Sequence, residues 1–185
     1  MAEDDSRLLT EALHGDESSF LSLYQRHRTP LFRFAWRLTV STATAEDVVQ
    51  ECWVLILQQD RFRSDRGSVR AYLFGIVRNL AFQRLRMSDR EWDERFDGET
   101  DSGPFEEVLA EERSKAVARA VAALPALQRE ALFLFEYEEL SLEEIAQATA
   151  VDIGAVKARL HRARETLRRR LAPLMATLPA HGRWS

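Results

Sequence analysis

Cysteine is almost missing: Cys52 stands alone among 185 residues, which excludes an internal disulfide framework and fits a reducing compartment. Glycine and proline are sparse, at 7 and 5, and no stretch sustains period-two alternation, which argues against a β-rich fold. No apolar run approaches the roughly 20 residues that span a bilayer, so no membrane insertion is expected. The acidic opening Met1-Ala2-Glu3-Asp4-Asp5-Ser6 is the reverse of a signal peptide. Catalytic signatures are missing too. There is no Gly-rich phosphate loop, no Gly-Lys-[Ser/Thr] and no His-Glu-x-x-His, and His14, His27, His161 and His181 are scattered. These absences point to an all-α, cytoplasmic, non-enzymatic protein with no cofactor and no metal.

Lysine is the other scarcity, and it exposes what is present. Only Lys115 and Lys157 accompany the arginines among 26 basic residues. A guanidinium suits bidentate contact with phosphate and guanine. The net charge of −4 is unevenly spread: residues 61–87 carry +6, 88–112 carry −9 and 146–185 carry +6. Two basic blocks separated by an acidic one suggest two nucleic-acid surfaces, with acidic stretches that discourage indiscriminate binding.

The second basic block has the pattern of a helix-turn-helix. Ser141 with Glu144 three residues on forms a capping box, and Leu142, Ile145, Ala146 and Thr149 follow at helical spacing. A turn falls at Ala150-Val151-Asp152, with Asp152 placed to cap the next helix. There Val156, Leu160, Ala163 and Leu167 make one apolar stripe, while Lys157, Arg159, His161, Arg162, Arg164, Arg168, Arg169 and Arg170 lie off it. Such a second helix sits in the major groove with its N-terminal residues at base edges.

The N-terminal half reads as four helices: near Ser6–His14, over Glu17–Leu38 with an interruption or kink expected at Pro30, from Thr44 to about Gln59, and from Ser68 to about Met87. On the third, Asp47, Gln50 and Glu51 form a polar patch at i, i+3 and i+4, either a docking site or an ordinary wet face. On the fourth, Leu73, Ile76, Val77 and Leu80 make a core stripe. Gly75, Arg78, Asn79, Phe82 and Arg86 gather opposite, flanked by Tyr72 and Gln83. Cations that track phosphate, rings that stack and amides that bond to base edges are what a single-strand binder uses. Tyr72 and Phe82 could equally pack on a neighbouring helix. Residues 89–104 combine like charges with Gly98, Gly103 and Pro104 and read as an acidic flexible linker. Within it, Trp92 and Phe96 either anchor to a partner or cover a helix.

Four segments then match one family in order and spacing. They are Ala45-Glu46-Asp47-Val48-Val49-Gln50-Glu51, the run from Tyr72 to Ala81, Leu124-Pro125 with Arg129-Glu130, and Leu140–Ala146 followed by Val156–Arg164. The chain resembles the two-domain extracytoplasmic-function sigma factors of bacterial RNA polymerase. The resemblance implies a sigma region 2-type helical domain over 1–88, the acidic linker, and a region 4-type helix-turn-helix domain over 105–172, with a disordered tail over 173–185. It also implies core RNA polymerase as partner, with Asp47, Gln50 and Glu51 on the β′ clamp helices and the C-terminal domain at the β flap. Tyr72, Arg78, Asn79, Phe82, Gln83 and Arg86 would open the −10 promoter element, with Asn79 capturing an unstacked base. Lys157, Ala158, Arg159, His161, Arg162 and Arg164 would read the −35 duplex. An anti-sigma factor is the further partner implied.

Three positions depart from the family pattern. Ala150 replaces the usual turn glycine and Ala155 the usual threonine, while Ala158 offers only an apolar contact, for instance to a thymine methyl. Two other readings fit parts of the sequence: a sigma-like decoy for an anti-sigma factor, and a plain helix-turn-helix regulator.

Overall fold

The computed structural model describes residues 2–58, 62, 67–87 and 115–176, and among these every regular element is helical. The linker 89–104, with Trp92 and Phe96, and the tail from 177 lie outside the described residues. Four helices form the N-terminal half: α1 (Ala2–Leu13), α2 (Glu17–Thr39), α3 (Thr42–Gln58) and α4 (Val69–Met87). The C-terminal half holds α5 (residues 115–122), α6 (Ala126–Leu132), a π-helical turn at Phe133–Tyr137, α7 (Leu142–Thr149) and α8 (Ile153–Ala176).

Apolar spacing explains most of this order. Leu23, Leu31, Phe34 and Leu38 on α2 are buried against Val48, Cys52 and Ile56 on α3 and Leu73, Phe74 and Val77 on α4. Phe34 and Phe74 meet edge-to-face at 5.3 Å. Burying each such side chain is worth about 1.5–3 kcal/mol. Helix α2 starts at Asp16, whose carboxylate accepts from Ser18 N at 2.9 Å and Ser19 N at 3.4 Å. It runs uninterrupted through Pro30, so the expected break is absent. Leu31, Phe34 and Ala35 beyond the proline are completely buried, and their packing outweighs the one backbone bond the ring removes.

Helix α1 begins earlier than its apolar residues suggest. Asp5 is almost fully buried, accepting from His27 Nε2 at 2.8 Å and from Arg26. The acidic start is therefore a docked helix rather than only a solvated end. Burial holds the His27 imidazole below its usual range, against the opposing pull of Asp5.

The second half bears out the helix-turn-helix. Ser141 Oγ accepts from Glu144 N at 3.1 Å while Glu144 Oε2 accepts from Ser141 N at 3.0 Å, the reciprocal capping box. Ala150 sits in the left-handed region at φ 53°, and Asp152 accepts from Ala155 N at 2.9 Å to start α8. Helix α8 continues through Pro173 to Ala176, so the expected disorder does not begin at 173. A proline there costs one backbone bond close to the helix end, and the remaining bonds carry the last turn.

The two halves pack on each other. Helix α4 lies along α7, and the π-helical turn touches α2. A Cβ built on Gly75 would stand 3.3 Å from the Ala148 carbonyl oxygen, so glycine permits this close crossing. Ser68 N donates to the Gln147 side-chain oxygen at 3.1 Å, and Ser68 Oγ donates to Glu144 at 2.8 Å.

Candidate nucleic-acid interface

The C-terminal surface is built on one exposed side of α8. Val156, Leu160 and Ala163 are buried, as the stripe requires, which turns Lys157, His161 and Arg162 outward. Lys157, His161 and Arg164 line a groove of about 450 Å³ with Phe135, Leu142 and Arg168. Arg164 donates to Glu136 at 2.8 Å and lies 5.2 Å from the Phe135 ring, which fixes its direction. Arg162 donates to the Ala158 carbonyl at 3.1 Å, a contact that leaves its terminal nitrogens for other acceptors. Ala158 is half-buried.

Arg159 behaves differently from its neighbours. Only 17% of its side chain is exposed, and it points inward to Glu130 at 3.8 Å. Its position off the apolar stripe suggested solvent, but a buried carboxylate on α6 draws it in.

The N-terminal surface lies on α4. Arg78, Asn79, Phe82, Gln83 and Arg86 line a groove of about 510 Å³. Asn79, Gln83 and Arg86 are exposed, Asn79 accepts from Arg78 at 3.2 Å, and the Arg78 guanidinium lies 4.9 Å from the Phe82 ring. Tyr72 does not join them. It is half-buried with its ring 5.5 Å from Phe62, the packing role that its position had left open.

This second groove is not open on all sides. Leu127, from α6 in the other half, forms part of its wall. Arg78 also donates through Nε to Glu130, whose side chain is completely buried. Burial holds the Glu130 carboxyl above its usual range, against the pull of Arg78 and Arg159. Sequence reasoning missed both residues. Glu130 was visible only as part of a matched motif, and nothing local marks Leu127.

The polar patch on α3 is as expected: Asp47 and Gln50 are exposed. Glu51 is half-buried and accepts from Arg84 at 2.6 Å, so it is already paired within the domain. Beside the patch runs a groove of about 680 Å³ between α2 and α3, lined by Phe20, Tyr24, Phe32, Gln50 and Trp53 among others. Trp53 packs against Phe20 at 5.8 Å and Tyr24 at 5.3 Å, and its buried Nε1 has no hydrogen-bond partner. The exposed Val54 and Leu57 extend this apolar strip, another feature the wheel reading did not pick out.

A fold with two arginine-bearing helical halves, one a helix-turn-helix, has clear relatives. The family model for Sigma-70 region 2 matches residues 23–91, and that for Sigma-70, region 4, matches 114–167. SigL of Mycobacterium tuberculosis, an ECF RNA polymerase sigma factor, is 35% identical over 166 residues, covering 84% of this chain and 90% of that protein. SigW of Bacillus subtilis, another, is 26% identical over 86% of this chain and 92% of its own length. Among solved structures, CnrH in complex with the cytosolic domain of CnrY superposes with a TM-score of 0.70 at 26% identity, over 95% of this chain and 99% of that one. RpoE of Bartonella quintana, solved with the anti-sigma factor NepR, gives 0.62 at 27% identity, over 83% and 96%. The chain belongs to the ECF RNA polymerase sigma factors, all-helical subunits that bind core polymerase and direct promoter-specific initiation. Among the described residues no helix is long and apolar enough to cross a membrane.

Proposed function

We propose that the two surfaces divide the promoter between them. Residues 105–172 read the −35 duplex through Lys157, Ala158, His161, Arg162 and Arg164, while residues 1–88 open and hold the −10 element. In the second task Arg78 and Arg86 track phosphate, Phe82 stacks, and Asn79 and Gln83 bond to the edge of an extruded base. The observation that carries this reading is the α4 groove, where an exposed amide, a ring and two guanidinia converge on about 510 Å³. Asp47, Gln50 and Glu51 dock on the β′ clamp helices, helped by the apolar strip between α2 and α3, and the C-terminal half meets the β flap. The linker 89–104 tethers the two.

The chain contributes binding rather than bond chemistry, and it works in the cytoplasm. Its regulator is an anti-sigma factor, in keeping with the partner bound to its relative RpoE. Run-off transcription with purified core polymerase on a genomic fragment library tests the whole reading. Discrete transcripts that need this protein are expected, and their start sites will yield both promoter elements. A decoy would give none, and a repressor would only remove transcripts made by another sigma factor.

A further inference from the structure

Helix α8 carries three arginines between Lys157 and Glu165, and their surroundings differ. Arg159 is drawn in by Glu130, and Arg164 is held by Glu136 and the Phe135 ring. Among the described residues no carboxylate pairs with Arg162. Its Nε donates instead to the carbonyl of Ala158, one turn back, at 3.1 Å. Side chains on a helix lean toward its N-terminus, so Arg162 is folded back over Ala158. With Nε engaged, Nη1 and Nη2 form the free end of the fork, a donor pair that matches N7 and O6 of one guanine.

Ala158 occupies the middle of the outward side. At about 100° per residue the buried Val156, Leu160 and Ala163 centre on one direction, and Ala158 falls within about 15° of its opposite. Arg162 and His161 flank it, about 40° and 60° to either side. The centre of the side that faces the groove is therefore a methyl group. A polar side chain there would seek a donor or acceptor on a base edge. A methyl seeks apolar surface, and the major groove offers one such group, the C5 methyl of thymine. The bond from Arg162 to the Ala158 carbonyl then ties the two targets together. The guanidinium cannot swing far without losing that carbonyl, so the bases touched by the two residues are neighbours, ~3.4 Å apart along the duplex.

We infer that Ala158 and Arg162 read one composite target, a thymine one base step from a guanine in the −35 element. Ala158 is the specificity-determining residue for the thymine methyl, and its small size leaves the seat from which Arg162 is aimed. Lys157 and Arg164, on the other flank beside Phe135 and Leu142, are left to the phosphates. A larger side chain at 158 would take the space of the arginine stem and move the guanidinium off its base. The inference rests on the assignment of α8 to the −35 duplex.

The holoenzyme, assembled from the full chain and core polymerase, tests this on the promoter recovered by run-off. Each thymine of the −35 element, in either strand, is replaced in turn by deoxyuridine, which lacks only the C5 methyl. Closed-complex affinity is read by competition. One replacement should weaken binding about 4-fold, the loss expected when one methyl leaves an apolar contact. That thymine should adjoin the guanine whose preference Arg162→Ala relaxes. Ala158→Gly should erase the difference between thymine and uracil templates. This ratio is internal to each protein, so a general loss of stability does not move it. Ala158→Val should relax the guanine preference at least ~5-fold with Arg162 still in place. A −35 element with no thymine beside that guanine overturns the proposal, as do uracil templates that the wild type binds equally. So does an Ala158→Gly holoenzyme that still tells thymine from uracil. If Arg162→Ala relaxes no −35 position, the assignment of α8 itself fails, and the pairing of its two residues falls with it.

Discussion

The basic helices α4 and α8 carry similar residues and meet different surroundings. Helix α8 shows Lys157, His161, Arg162 and Arg168 to solvent, so the side proposed to read the −35 element is presented in the free chain. Helix α4 has Gly75 under the Ala148 backbone, Arg78 bound to Glu130 and its groove walled by Leu127. One surface stands free, and the other is a groove with Asn79, Gln83 and Arg86 exposed but with Arg78 already paired and Leu127 of the other half in its wall. Duplex is always available to be read, whereas an unstacked base exists only after strands part.

The largest expected effect is on docking, which would bring both surfaces to the promoter. Charge reversal at Asp47 and Glu51 together should abolish association with core polymerase in a pull-down. Weak binding of the free chain to −35 duplex should stay as in the wild type. The patch lies on the wet side of α3, so little stability should be lost at Asp47, whereas Glu51 also gives up Arg84. Asp47→Arg alone is thus the cleaner variant, and co-purification at wild-type yield would remove the docking assignment.

Next comes Asn79→Ala, which should leave closed complexes near normal and impair melting on duplex promoters. A template with a pre-melted −10 bubble should recover part of the activity, since the unstacking cost of a few kcal/mol is already met. Permanganate footprinting reads both templates. Wild-type melting with an altered −35 preference would mean that the two helices had been assigned in reverse.

Arg162→Ala probes the free surface, where a lost bidentate contact to guanine is worth roughly 1–3 kcal/mol at one −35 position. Competition binding with single-base variants of the duplex should show relaxed preference at that position alone. The smallest effect is Ala150→Gly. The alanine holds φ 53°, a region that costs an L-residue about 1–2 kcal/mol, so glycine should stabilise the turn by up to that amount and raise the melting temperature by a few degrees. No change in promoter preference should accompany it.

The local parts of this design were legible in the sequence. The Ser141–Glu144 box, the Asp152 cap and the α8 stripe all depend on residues within a few positions, and propensity and periodicity report on such distances. The grouping of Arg78, Asn79, Phe82, Gln83 and Arg86 followed for the same reason. Contacts across the chain were not legible. Arg37 reaches Glu138 over 101 positions and Arg78 reaches Glu130 over 52, and no helical wheel records what covers a face. That is why Arg159 and Tyr72, which a wheel places toward solvent, turn inward. It is also why α1 reads short: Asp5 looks like a solvated acid until His27 and Arg26 are brought beside it.

The buried thiol of Cys52 has a consequence for how news of the environment can arrive. Its Sγ is enclosed between α3 and α4, 3.9 Å from the Leu73 carbonyl, and holds its proton up to about pH 12. Peroxides and disulfides attack through the thiolate, which is scarcely populated here at neutral pH. As the only cysteine in the sequence, it leaves the folded chain deaf to oxidants at sulfhydryl groups. A thiol-based stress signal must be sensed by another molecule and reach this one as a change in what it is bound to.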